Sequence, residues 1–78
     1  MEQIEVTLKM PAPFYRVLEE AARAEKMPLP KMMMRDLVVD ADSYLAAYPR
    51  LQERFGIERS EKEGTYQPQL RKLAGVEG

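Results

Sequence analysis

The chain has 78 residues, enough for one small domain, and its 12 basic and 13 acidic side chains give a net charge of −1. It contains no cysteine and no histidine, which excludes disulfide bonds and thiolate metal sites and removes the commonest general base. It has no apolar run of about 18 residues, and acidic Glu2 and Glu5 stand where a signal peptide is basic, so we expect a cytoplasmic protein.

Residues 4–10 alternate between apolar and polar side chains. The apolar positions are Ile4, Val6, Leu8 and Met10, and the polar positions are Glu5, Thr7 and Lys9. A period of two predicts a β-strand, which ends at Pro11. We find no second strand pattern, so the strand has no partner in its own chain. The same strand of a second copy is the simplest partner, which predicts a homodimer.

Two helical patterns follow the strand. The first begins at Pro13, because proline suits the first position of a helix, and it fades at Lys26. The prolines of Pro28-Leu29-Pro30 break the chain, and the second of them opens another helix, which Pro49 ends. The predicted buried stripe of this second helix consists of Met33, Leu37, Ala41, Leu45 and Tyr48, widened by Val38 and Tyr44.

The remaining residues predict little regular structure. Residues 50–55 form a short third helix, which Gly56 ends, and residues 57–64 are a charged linker. Tyr66, Leu70 and Leu73 follow in a segment that we predict to be a flexible tail. The predicted division is therefore one strand and two helices over residues 1–49, and a short helix with a flexible tail over residues 50–78.

The order of strand, proline, helix, turn and helix resembles the ribbon-helix-helix family of the MetJ/Arc type over residues 3–48. The positions that carry the resemblance are Val6-Thr7-Leu8-Lys9-Met10-Pro11, Val17-Leu18, Ala21-Ala22, Met32-Met33, Leu37 and Tyr44-Leu45. The resemblance implies a mostly α fold with one N-terminal strand and two helices per chain, and it makes residues 1–49 the dimerisation and DNA-binding domain. Two chains intertwine as a homodimer, and their strands form a two-stranded antiparallel ribbon that enters the major groove of DNA.

The resemblance also implies a role for individual residues. Base contacts fall on Glu5, Thr7 and Lys9, and phosphate contacts fall on Lys31 and Met32 at the start of the second helix. The implied dimer core consists of Ile4, Val6, Leu8, Met33, Leu37, Ala41 and Leu45. Dimers of this kind can associate further on DNA.

The function expected from these features is sequence-specific DNA binding by a transcriptional regulator that represses genes. We predict no enzymatic activity, cofactor or metal, because we find no nucleophile–base pair, metal-ligand cluster or glycine-rich phosphate loop. Two alternatives remain open. In one, the protein is an antitoxin whose residues 50–78 bind a toxin through Tyr66, Leu70 and Leu73. In the other, it is a scaffold that binds only protein, which the net charge of −1 favours.

Overall fold

The computed structural model describes residues 2–76, and this part of the chain contains four helices. They are α1 (Ala12–Ala24), α2 (Leu29–Ala47), α3 (Pro49–Phe55) and α4 (Gln67–Ala74). The longest helix, α2, is central, because α1, α3 and α4 all pack against it. None of the helices within residues 2–76 has the length and apolar character needed to cross a bilayer.

The predicted N-terminal strand does not form, and the ribbon-helix-helix fold class is therefore wrong. The described residues are helical with no β-strand, so the structure has neither a strand nor a two-stranded antiparallel ribbon. Only the mostly α character of that prediction remains. The physical reason is that a strand needs the backbone of a partner. No backbone–backbone hydrogen bond found outside the helices of residues 2–76 involves residues 2–10.

The first three helices begin within a residue of the predicted positions. Each has a proline at its first or second position. A backbone N–H at these positions would have no acceptor within the helix, so proline loses no hydrogen bond there. Helix α3 ends as expected at Gly56, which takes a left-handed conformation with φ of 62°. Just after the end of α1, Lys26 takes a left-handed conformation with φ of 57°, and the backbone N–H of Met27 donates to the carbonyl oxygen of Ala22.

The core forms between α2 and the chain that follows it. Leu45 on α2, Ile57 and Tyr66 are buried together, and Leu51 and Leu70 pack against them half-buried. The structure thus differs from the predicted flexible tail, because residues 57–76 fold back onto α2. The sequence alone favours a flexible tail because proline and glycine, here Pro68 and Gly75, weaken a strand or a long helix. Pro68 instead occupies the start of α4, and Gly75 caps its end with a φ of 71°.

Asp42 fixes the start of α4 against α2. Its carboxylate accepts a hydrogen bond of 2.8 Å from the backbone N–H of Tyr66 and one of 3.3 Å from the side-chain amide of Gln67. On the other side of the core, the amide of Gln52 donates to the carbonyl oxygen of Leu45 at 2.9 Å. These bonds tie α3 and α4 to α2. The predicted division at residue 49 stays a prediction.

Candidate functional site

The N-terminal segment, defined as residues 2–10, is exposed from residue 2 to residue 9 and half-buried at Met10. Ile4, Val6 and Leu8 are 81%, 76% and 66% exposed. The polar side chains predicted to read bases, those of Glu5, Thr7 and Lys9, are exposed as well. The single chain therefore presents the predicted polar readers to solvent. It does not bring the three apolar side chains into a core.

The predicted dimer core on α2 is divided between the interior and the surface. Leu45 is buried in the core of its own chain, whereas Leu37 is 54% exposed. Met33 and Ala41 are half-buried. The residues that α2 buries are Met32, Val38 and Leu45. Leu45 and Val38 belong to the predicted stripe, whereas Met32 lies on a different side of the helix.

An apolar surface remains uncovered on α2, and we call Leu37, Tyr44 and Tyr48 the α2 stripe. These three residues are spaced by seven and four positions, as one helix face requires, and all are exposed. Two open grooves adjoin the stripe, with volumes of about 260 and 340 Å³. Ala41 and Leu70 line both grooves, so the apolar surface is continuous across α2 and α4.

The three residues of the predicted tail site differ in burial once α4 has formed. Tyr66 is buried against Leu45 and Ile57, Leu70 is half-buried in the same cluster, and Leu73 is about half exposed. Only Leu73 is therefore presented to a partner without rearrangement of the core. Binding of a protein partner through residues 50–78 stays a prediction.

The N-terminus of α2 offers few donors for the predicted phosphate contacts at Lys31 and Met32. The backbone N–H groups of both residues donate to the carbonyl oxygen of Pro28 at 3.1 Å, and Pro30 has no N–H. The side chain of Met32 is buried. The backbone donors that the predicted phosphate site requires are thus already used, and Lys31 contributes only its side chain.

A cleft of about 380 Å³ lies between α2 and α4, and we call it the α2–α4 cleft. Its lining residues are Met27, Lys31, Arg35, Val38, Val39, Gln67, Arg71 and Val76. Three of them are cations and none is an acid. One signal for this site is present in the sequence, since Lys31 and Arg35 stand four residues apart on one helix face. Arg71 joins them only because Asp42 docks α4 onto α2.

Two of the three cations are held by carboxylates that do not line the cleft. The guanidinium of Arg35 lies 2.9 Å from a carboxylate oxygen of Glu25 and 3.5 Å from one of Asp36. The hydrogen bond to Glu25 is the main cause of a raised pKa of Arg35. Arg71 pairs with Glu63 at 3.1 Å. No ion pair found within residues 2–76 involves Lys31.

No cluster of three or more acidic side chains with metal-binding geometry occurs in the part of the chain that the structure describes. Comparison with known protein families, with characterised proteins and with solved structures finds no match to this chain. A functional proposal therefore depends on the exposed surfaces and the cleft alone.

Proposed function

We propose that the protein is a sequence-specific DNA-binding regulator, a repressor without enzymatic activity, that acts as a homodimer. The observation that carries the proposal is the N-terminal segment. It is exposed, it lies outside the helices, and its apolar and polar side chains alternate. The proposal keeps the cytoplasmic location expected from the sequence.

The balance of buried and exposed apolar residues supports the homodimer. Among residues 2–76, six hydrophobic residues are buried, whereas 13 large ones are exposed. The exposed set includes Phe14 and Val17 on α1 in addition to the N-terminal segment and the α2 stripe. A chain of this size gains little stability from so small a core, and a second copy would cover the exposed apolar side chains. We propose that Ile4, Val6 and Leu8 pack against the helices of the dimer.

The chemistry of the polar side chains supports DNA as the partner. Glu5, Thr7 and Lys9 are exposed in the single chain, so they are accessible to a partner. A lysine donates to the guanine O6 and N7 atoms, and a threonine bonds a base edge or contacts a thymine methyl. A glutamate accepts from the N4 amine of cytosine. No ion pair within the described chain engages Glu5 or Lys9, so both remain available.

The phosphate contacts expected at Lys31 and Met32 are not part of the proposal. Their backbone donors bond Pro28, Met32 is buried, and the side chain of Lys31 lines the α2–α4 cleft. With a net charge of −1, the protein would make few phosphate contacts, so base contacts would supply much of the sequence preference.

Alanine substitutions in the N-terminal segment test the DNA proposal. We expect Thr7→Ala and Lys9→Ala each to weaken binding to a duplex selected from genomic fragments by roughly 1–3 kcal/mol per lost base contact. Fluorescence anisotropy at fixed salt measures this loss. Lys72→Ala is the control, because Lys72 is also an exposed lysine but lies on α4. Unchanged binding by the Thr7 and Lys9 variants, with the dimer intact, would contradict the proposal.

A second candidate is a scaffold that binds only protein. The continuous apolar surface formed by the α2 stripe and the two adjoining grooves favours it, since large apolar patches often mark protein interfaces. An antitoxin that binds a toxin through residues 50–78 would be a special case, with Leu73 as the exposed contact. Failure to bind random duplex DNA even at low salt would favour the scaffold over the regulator.

A further inference from the structure

The α2–α4 cleft combines an apolar wall with positive charge. Met27, Val38, Val39 and Val76 supply the apolar lining. Lys31 and Arg35 come from α2, and Arg71 comes from α4. The volume of about 380 Å³ falls within the range of small-molecule sites. The cleft thus has the size and mixed lining of a site for a small amphipathic ligand.

The charges of the lining favour an anionic ligand. The carboxylates that pair with Arg35 and Arg71 do not line the cleft, so the cleft presents cations without a facing acid. Those ion pairs also restrain the two guanidinium groups, which reduces the ordering needed when a ligand binds. Lys31 adds a charge that no ion pair of the described residues neutralises. Hydrogen bonds from such cations to a carboxylate are stronger than those between neutral groups.

We propose that the α2–α4 cleft binds a small organic carboxylate with an apolar body. The carboxylate would contact the cations, and the apolar body would contact the valines and Met27. An inorganic anion would leave the apolar wall unused, and a neutral apolar molecule would leave the cations without an acceptor. The ligand would bridge α2 and α4, so its binding would also stabilise the docking of α4.

Titration with octanoate, followed through the methyl NMR signals of Val38, Val39 and Val76, tests this site. We expect saturable shifts of these signals in the full-length protein. Octanol and inorganic phosphate, each used at the same concentrations, are expected to bind at least about tenfold more weakly, because each lacks one half of the interaction. Equal shifts with octanol or with phosphate would contradict the proposed combination of charge and apolar contact.

Two matched lysine variants complete the test. Lys31→Gln removes one charge from the cleft, and we expect it to weaken octanoate binding about tenfold, as the loss of one charge-assisted hydrogen bond would. Lys72→Gln removes a charge from an exposed position on α4 outside the cleft and is expected to leave the affinity unchanged. Both lysines are exposed, so neither substitution should disturb folding. Equal affinity in the two variants, or no saturable shift in the parent protein, would overturn the proposal.

Discussion

Replacement of Tyr66 with alanine is expected to lower the free energy of unfolding by about 3–5 kcal/mol. Tyr66 is only 8% exposed and is buried together with Leu45 and Ile57. Truncation of this ring would leave a cavity at the centre of the core and weaken the docking of α4 on α2. For a small protein such a loss is a large fraction of the total stability, so α4 would separate from α2 or the chain would unfold. Urea denaturation monitored by circular dichroism measures the change.

Leu73→Ala provides the control for this prediction. Leu73 lies on α4 as well but is about half exposed, so its truncation removes less buried surface and should cost no more than about 1.5 kcal/mol. If Tyr66→Ala were no more destabilising than Leu73→Ala, residues 57–76 would not be part of the core. The sequence-based prediction of a flexible tail would then be correct after all.

Val6→Asp is expected to abolish homodimerisation. Val6 is 76% exposed in the single chain, so an aspartate costs little there. In the proposed dimer the same position is covered by the second copy, and burial of an unpaired carboxylate costs several kcal/mol. The variant should therefore sediment as a monomer. It should also lose the concentration dependence of the melting temperature that we expect of the parent dimer.

Thr7→Asp is the matched control for Val6→Asp. The same charge is introduced one residue later, on the polar side of the N-terminal segment, and we expect the dimer to persist. Dissociation caused equally by both substitutions would point to a general effect of charge. A dimer unaffected by Val6→Asp would exclude the apolar side of the N-terminal segment from the interface.

Local sequence signals identified helix boundaries well because those boundaries depend on the residues that form them. Proline at the start of α1, α2 and α3, and Gly56 at the end of α3, act through their own backbone geometry. The same rule applied to Pro68 would have located α4. Pro68 follows a charged linker and precedes Gly75, and this context favours a segment without regular structure.

Features that depend on a partner were not accessible from local patterns. The alternation over residues 4–10 predicts a β-strand with one apolar face. A strand also requires a second backbone as its hydrogen-bond partner, and the described residues of one chain do not supply it. On α2, the helical period predicts one apolar stripe but not which part of it is covered. The bonds from Asp42 to Tyr66 and Gln67 dock α4 onto α2, and within the predicted stripe Leu45 is buried whereas Leu37 is exposed.

The two candidate sites also differ in how far the sequence alone reveals them. Glu5, Thr7 and Lys9 can be identified in the sequence because they alternate with apolar residues within one short segment. In the α2–α4 cleft, Lys31 and Arg35 share a visible helical spacing, but Arg71 is 36 positions beyond Arg35 in the sequence. Its place in the cleft depends on the packing of α4, which no local pattern predicted.

Sedimentation velocity with a fluorescent duplex, selected from genomic fragments for binding to this protein, tests the central proposal most directly. At micromolar protein and low salt, we predict that the protein sediments as a dimer and that two copies, or a multiple of two, bind each duplex. Competition with random duplex should displace the complex only at much higher concentration. A selection that enriches no duplex would contradict the proposed function in DNA binding, and a folded monomer at micromolar concentration would contradict the homodimer.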